Sequence, residues 1–174
     1  TAMVVQPNKR WRMSPDCADL LTPCEGGRVG PRTLFLDFDG VLMPSPPRSG
    51  YPAFVWLPRL HAVLASHPEV RIVLHTSWRL HQTVDHMSSK LQTLMPRVVG
   101  AISGDDRYPG IAAWVAHHRP VAHLILDDQA AEYPHPAPAE LVLCDPRLGI
   151  TDSRASRALR RWLGATASGA PGKR

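Results

Sequence analysis

TLFLDFDGVLMP, from Thr33 to Pro44, sets a run of large apolar residues against two acids one position apart, Asp37 and Asp39, with Gly40 directly behind them. An unpaired carboxylate is expensive to bury. A buried strand that ends this way therefore needs something to balance its charge. Working outward from it, further apolar runs predict buried parallel strands: Leu34–Phe38, Arg71–His75, Val98–Ile102, His123–Leu126 and Leu141–Cys144. Helical spacing fills the gaps. Leu57, Leu60, Val63 and Leu64 predict a helix over Trp56–Ala65, with Pro58 in its first turn. Leu80, Val84, Met87, Leu91 and Leu94 step by four, three, four and three, which predicts one long helix over Trp78–Met95. Ile111, Trp114 and Val115 mark a short helix. Leu159, Trp162 and Leu163 mark the last, with Thr151 or Asp152 as its cap and Gly164 as its stop. Strand and helix in alternation predict an α/β fold, a mostly parallel five-stranded sheet between helical layers.

The chain has 174 residues, enough for one domain with a substantial core, and 44% of them are apolar. No apolar run approaches the roughly 18 residues of a membrane span, and the first residues lack the apolar core of a secretory signal. Three cysteines do not make a disulfide scaffold, so a reducing compartment, the cytoplasm, is expected. Residues 1–32, polar and broken by Pro and Gly, read as a partly disordered extension; residues 33–163 as the folded α/β domain; residues 164–174 as a flexible tail.

The net charge is +5, from 20 basic and 15 acidic side chains, and its location matters. Residues 33–150 hold nine basic and eleven acidic side chains, while residues 151–174 hold six basic and one acidic. Arg154, Arg157, Arg160 and Arg161 stand at helical spacing. That face is either solvated or a contact for a phosphate backbone.

In parallel α/β sheets ligands bind beyond the carboxyl ends of the strands. Polar groups gather there. Asp37 and Asp39 end the first strand and, by alternation, share a face. Thr76 and Ser77 end the second; Asp127 and Asp128 end the fourth. Four carboxylates in one crevice repel one another, and a cation removes the conflict. An all-oxygen set with water favours Mg²⁺. Mg²⁺ held in this way meets phosphate, to which Thr76, Ser77 and backbone N–H groups near Gly40 and at the start of the Trp78 helix can donate.

These motifs resemble the haloacid dehalogenase-like (HAD) phosphohydrolases over about residues 33–163. Asp37-Phe38-Asp39-Gly40 is similar to the first motif, Thr76 to the second and Asp127-Asp128 to the fourth, with Thr76 39 residues after Asp37 and Asp127 51 residues after Thr76. Arg107 takes the place of the third motif's basic residue, with Lys90 and Arg97 as rivals. Gly104-Asp105-Asp106 imitates the fourth motif but follows the third strand, and reads as a loop. TSW (Thr76–Trp78), AAW (Ala112–Trp114) and DPRLGIT (Asp145–Thr151) resemble more narrowly a branch related to HAD domains of RNA-repair proteins.

The resemblance implies a three-layer, Rossmann-like fold with strand order 5-4-1-2-3. It implies Asp37 as the nucleophile that forms an aspartyl-phosphate, and Asp39 as general acid and base. Mg²⁺ is implied on Asp37, the Asp39 main-chain oxygen, Asp127 and Asp128. Thr76, Ser77, Gly40 and Arg107 would hold the phosphoryl oxygens, and Arg79 is either a further contact or a solvated helix residue. The short gaps leave no space for a cap domain; the Pro-rich loop Met43–Tyr51 can serve only as a flap. An open site suits a bulky phosphorylated substrate, a nucleotide or a nucleic-acid end, with the basic C-terminal helix as a nucleic-acid contact. Two other readings stay open: a phosphotransferase, and a non-catalytic module that binds phosphorylated or nucleic-acid partners. The oligomeric state is not legible.

Each motif also has a plainer reading. The first acid pair can cap a loop, Thr76 can be an ordinary β-branched strand residue, and Asp127-Asp128 can cap a helix. The histidines show no ligand spacing for zinc. Cys17 and Cys24 have no second pair, Cys144 reads as a buried hydrophobe, and Trp56, Trp78, Trp114 and Trp162 read as helix–sheet packing. Trp11 sits among basic residues, where it reads as part of a tail.

Overall fold

The computed structural model describes residues 31–165. Trp11, Cys17, Cys24 and most of the expected extension and tail lie outside the described residues. Five strands form one sheet: β1 Thr33–Leu36, β2 Arg71–Leu74, β3 Val98–Ala101, β4 His123–Asp127 and β5 Leu141–Leu143. Their order is β3-β2-β1-β4-β5, every neighbouring pair is parallel, and read from the other edge this is 5-4-1-2-3. Parallel strands need crossovers, and helices supply most of them: α1 (Leu57–Leu64), α2 (Trp78–His81), α3 (Val84–Leu91), α4 (Arg107–His118) and, after β5, α5 (Ser153–Gly164).

The period of two in the strands sorts the core into two halves. Leu34, Leu36, Ile72, Leu74, Leu124 and Leu126 face one way, under Leu57, Leu60 and Leu64 of α1, Met87 and Leu91 of α3, and Leu159 and Leu163 of α5. Phe35, Val73, Val99 and Ile125 face the other way, under Ile111 and Trp114 of α4. Between β1 and β2 there is only a loop and α1, so no further domain is inserted at that point.

The long helix expected over Trp78–Met95 is three pieces. Gln82 is extended (φ −106°, ψ 152°), and the Thr83 hydroxyl then caps α3 by accepting from His86 N–H. A Thr that can satisfy a helix start competes with helix continuation, and here it wins. The break takes Leu80 off the apolar stripe and leaves it exposed. Beyond α3 the chain turns through a 3₁₀ segment, Gln92–Arg97, which contains Pro96. The last helix is capped by Asp152, which accepts from Ala155 N–H.

Arg32, one residue ahead of the expected domain start, is buried. Its guanidinium donates to the carbonyls of Trp162 and Leu163, stacks over the Trp162 ring and lies 3.8 Å from Glu69. It ties the entry to β1 to the end of α5. Cys144 is buried. No helix among the described residues is long and apolar enough to cross a membrane.

Candidate active site

β1 runs into the site and stops one residue before it, at Leu36. Asp37 follows, almost fully buried, and its N–H still donates to Leu126 of β4. Past that point strict alternation no longer applies, and Asp37 and Asp39 part company. Asp37 Oδ2 accepts from Arg107 at 2.7 Å. Asp39, half-buried, turns its Oδ2 to the Trp78 indole N–H at 2.7 Å. The loop closes at once: Gly40 N–H donates to Met43, with Gly40 at φ +67°.

β4 delivers Asp127, fully buried, and then Asp128. Ligand atoms of Asp37, Asp127 and Asp128 lie within 4.8 Å of one another. The sequence grouped Asp39 with these acids; its carboxylate stands outside the set and belongs to Trp78. Asp37 Oδ1 and Asp128 Oδ1 are buried and receive no hydrogen bond. Two such oxygens cost free energy unless something positive meets them, and that fits a cation. Asp127 differs, because both its oxygens accept. Arg107 Nη1 reaches both at 2.8 Å, the Gln129 N–H reaches Oδ1 at 2.9 Å and the Tyr133 hydroxyl reaches Oδ2 at 2.6 Å.

Burial, foremost, and the neighbouring Asp127 charge push the Asp37 carboxyl up to about 7, against the pull of Arg107. The Phe38 N–H and the Thr76 hydroxyl also lower it, though neither reaches Oδ1 in hydrogen-bond geometry. Asp128 is raised as well, by burial. Both shifts express a shortage of positive charge that a bound cation would supply.

Arg107 is the first residue of α4 and reaches back between Asp37 and Asp127. Its rivals are elsewhere. Lys90 lies on α3, and Arg97 donates to the carbonyls of Leu64, His67 and Val70. Thr76 is buried at the end of β2, and Ser77 precedes α2 without capping it through its side chain. Arg79 is neither a free phosphate contact nor a solvated residue. Its guanidinium donates to the carbonyls of His75, Thr76, Gly104 and Asp105, at 2.7 to 3.0 Å. This bolts the β3–α4 loop, which carries Arg107, to the end of β2. Gly104–Asp106 is a loop, as expected.

Two residues of the site carry no signal in the sequence. His75 is fully buried, and its Nε2 donates to the Leu126 carbonyl, which leaves Nδ1 without a proton, 3.6 Å from Asp127 Oδ2. Burial, the largest cause, lowers its pKa to about 4, so it is neutral. Tyr133, buried, lies six residues beyond Asp127 in a segment whose prolines mark it as loop. Nothing in their local sequence marks either residue as belonging here.

No curated protein and no solved structure matches the chain. A protein family does, over residues 33–155, and that stretch contains Asp37, Thr76, Arg107, Asp127 and Asp128. The match covers more than two thirds of the chain, from the start of β1 into α5. On these grounds the chain belongs to the family described as the HAD domain in Swiss Army Knife RNA repair proteins.

Proposed function

We propose that the chain is a Mg²⁺-dependent phosphohydrolase that cleaves phosphomonoesters through an aspartyl-phosphate on Asp37, and that its substrate is a nucleotide or the phosphorylated end of a nucleic acid. One observation carries this reading. Asp37 keeps one buried oxygen without a partner and the other on Arg107, within 4.8 Å of two further carboxylates. A purely structural ion pair would not leave a buried Asp37 oxygen without a partner.

The residues that would hold the cation are Asp37 and Asp128 through their unpartnered oxygens, Asp127, and the Asp39 main-chain carbonyl. Bound there, a divalent ion offsets the repulsion between an anionic nucleophile and an anionic phosphate. The chain's own groups do the rest. Arg107 and Thr76 hold the phosphoryl oxygens while the Asp37 carboxylate attacks phosphorus. The bond from Asp37 to phosphorus forms as the bond to the leaving oxygen breaks, and Asp39 gives that oxygen its proton. Asp39 then takes a proton from water, which attacks the aspartyl-phosphate and releases inorganic phosphate and free Asp37. Trp78 aims Asp39 through its indole N–H, and Arg79 fixes the loop that carries Arg107.

The family's RNA-repair setting and the lack of a domain inserted between β1 and β2 support a nucleic-acid phosphate over a small metabolite. Phosphate release from para-nitrophenyl phosphate and from 5′- and 3′-phosphorylated oligonucleotides tests the reading. Turnover lost in Asp37→Asn and in EDTA is the expected result. A folded protein inactive on the whole panel overturns it.

A further inference from the structure

α5 carries Arg154, Arg157, Arg160 and Arg161 and no acidic residue between Ser153 and Gly164. All four are exposed, and none has a carboxylate partner among the described residues. Three of them, at i, i+3 and i+7, share one face and wall a groove of about 560 Å³ between α5 and the edge strand β5. The floor is apolar: Ala137, Leu141, Val142, Leu143 and Ala158. No acidic residue lines it. The nearest carboxylates in sequence are Glu140, before β5, Asp145, which accepts from the Arg147 N–H, and Asp152, which is engaged in capping α5.

The groove begins beside the site. Leu143 on its floor is the direct β-partner of Asp127, and the Cys144 N–H donates to the Asp127 carbonyl at 2.8 Å. Neighbouring strands are about 4.8 Å apart. A chain whose terminal phosphate reaches the carboxylates can thus continue over the end of β5 onto the arginines. An added β-strand is the competing occupant of a free sheet edge. β5 discourages it, being three residues long, with Pro138 just ahead of it and Pro146 just behind. What remains is an unpaired cationic row on an apolar floor, which suits phosphates on the guanidinium forks and sugars and bases against the leucines.

We infer that the α5–β5 groove binds a single-stranded nucleic-acid segment, leading its end to the Asp37 site. This rests on the proposed function and names the part of the substrate that lies beyond the reacting phosphate.

The test is fluorescence anisotropy with a labelled 12-nucleotide RNA lacking a terminal phosphate, so that binding is read without turnover. Arg154→Gln/Arg157→Gln/Arg161→Gln is compared with Arg48→Gln/Arg59→Gln/Arg119→Gln, which removes equal charge from exposed positions elsewhere. The groove variant is expected to lose at least tenfold in affinity, and the control less than threefold. Each phosphate that a single strand no longer pairs with an arginine lowers the slope of log affinity against log salt by about 0.7, so the slope for the groove variant should be shallower by about 2. Equal losses in both variants overturn the inference. So does blunt duplex RNA, or poly-glutamate of the same charge, bound as tightly as the single strand. Should the triple variant fail to fold by circular dichroism, Arg157→Gln and Arg161→Gln are measured singly, each with an expected loss of two- to fivefold; no loss in either overturns the inference. The two readings fail separately: inactivity of the wild type on phosphoesters removes the hydrolase and leaves the groove, while unchanged RNA binding in the variants removes the groove and leaves the hydrolase.

Discussion

The Tyr133 hydroxyl donates to Asp127 Oδ2 at 2.6 Å, from a buried position. Asp127 is thereby held from the segment that follows β4, and its orientation is set before any ligand arrives. Groups that orient a metal-binding carboxylate matter almost as much as the ligand, and their loss costs roughly 10- to 100-fold in metal affinity. Tyr133→Phe keeps the ring that packs under α4 and removes only the donor. It should weaken Mn²⁺ or Mg²⁺ binding by at least tenfold in calorimetry, with a melting temperature within a few degrees of wild type. Unchanged metal affinity would show that Asp127 is aimed by its other donors.

Trp78 does two jobs. Its ring packs edge-on against Phe38 and Phe54, and its N–H holds Asp39 Oδ2 at 2.7 Å. Trp78→Phe removes the second role and some volume. A hydrogen bond to a charged group contributes about 1.5–3 kcal/mol, and each 1.4 kcal/mol of barrier is about tenfold in rate. The kcat for phosphoester hydrolysis should fall at least tenfold with KM little changed. A rise in KM alone would mean that Trp78 touches the substrate and does not aim Asp39.

Much of this site was readable from spacing. Acids at the ends of two strands identify the rim on which chemistry gathers, because parallel topology puts like ends together. Asp37 and Asp127 meet for that reason, and Arg107 meets them because a helix following a strand starts at the same rim. What was unreadable depends on contacts between segments far apart in the chain. Trp78 lies 39 residues from Asp39, and the fourfold grip of Arg79 on carbonyls spans two loops. His75 and Tyr133 act through burial beside Asp127, a property of the folded surface with no local pattern. The helix break at Gln82–Thr83 is another such case: the apolar period of Trp78–Met95 is genuine, yet a single capping hydroxyl decides against continuity.

Gly40 sits at φ +67°, and a Cβ there would stand 2.2 Å from Asp128 Oδ2. Alanine is penalised twice: a left-handed backbone costs about 1–2 kcal/mol without glycine, and Asp128 must swing aside. Gly40→Ala is therefore expected to lower stability and to weaken cation binding more than tenfold. Adding Asp128→Ala removes the carboxyl contacts and leaves only the Cβ of residue 128, at 2.6 Å, so the double variant should recover part of the lost stability while metal binding stays poor. Strict additivity of the two changes in denaturant unfolding would show that residue 40 and Asp128 do not compete for space.

Asp37 makes the stability of the cation-free protein depend on pH in an unusual direction. Burial and Asp127 raise its pKa from 3.8 to about 7. Across that interval the folded chain keeps a proton that the unfolded chain has released. The stability this contributes is complete below about pH 4 and is lost as the pH rises through 7. At 1.36 kcal/mol per pKa unit the loss is at most about 4 kcal/mol. Asp37→Asn carries no such proton. In EDTA it should therefore gain on the wild type steadily between pH 5 and pH 7 in thermal melts, and level off above that. A cation at the site lets Asp37 ionise, so Mg²⁺ should flatten the wild-type curve and leave Asp37→Asn unmoved, and metal affinity should rise with pH as binding releases that proton. Parallel curves for the two proteins in EDTA would mean that Asp37 is already ionised at pH 5, and that Arg107 alone balances its charge.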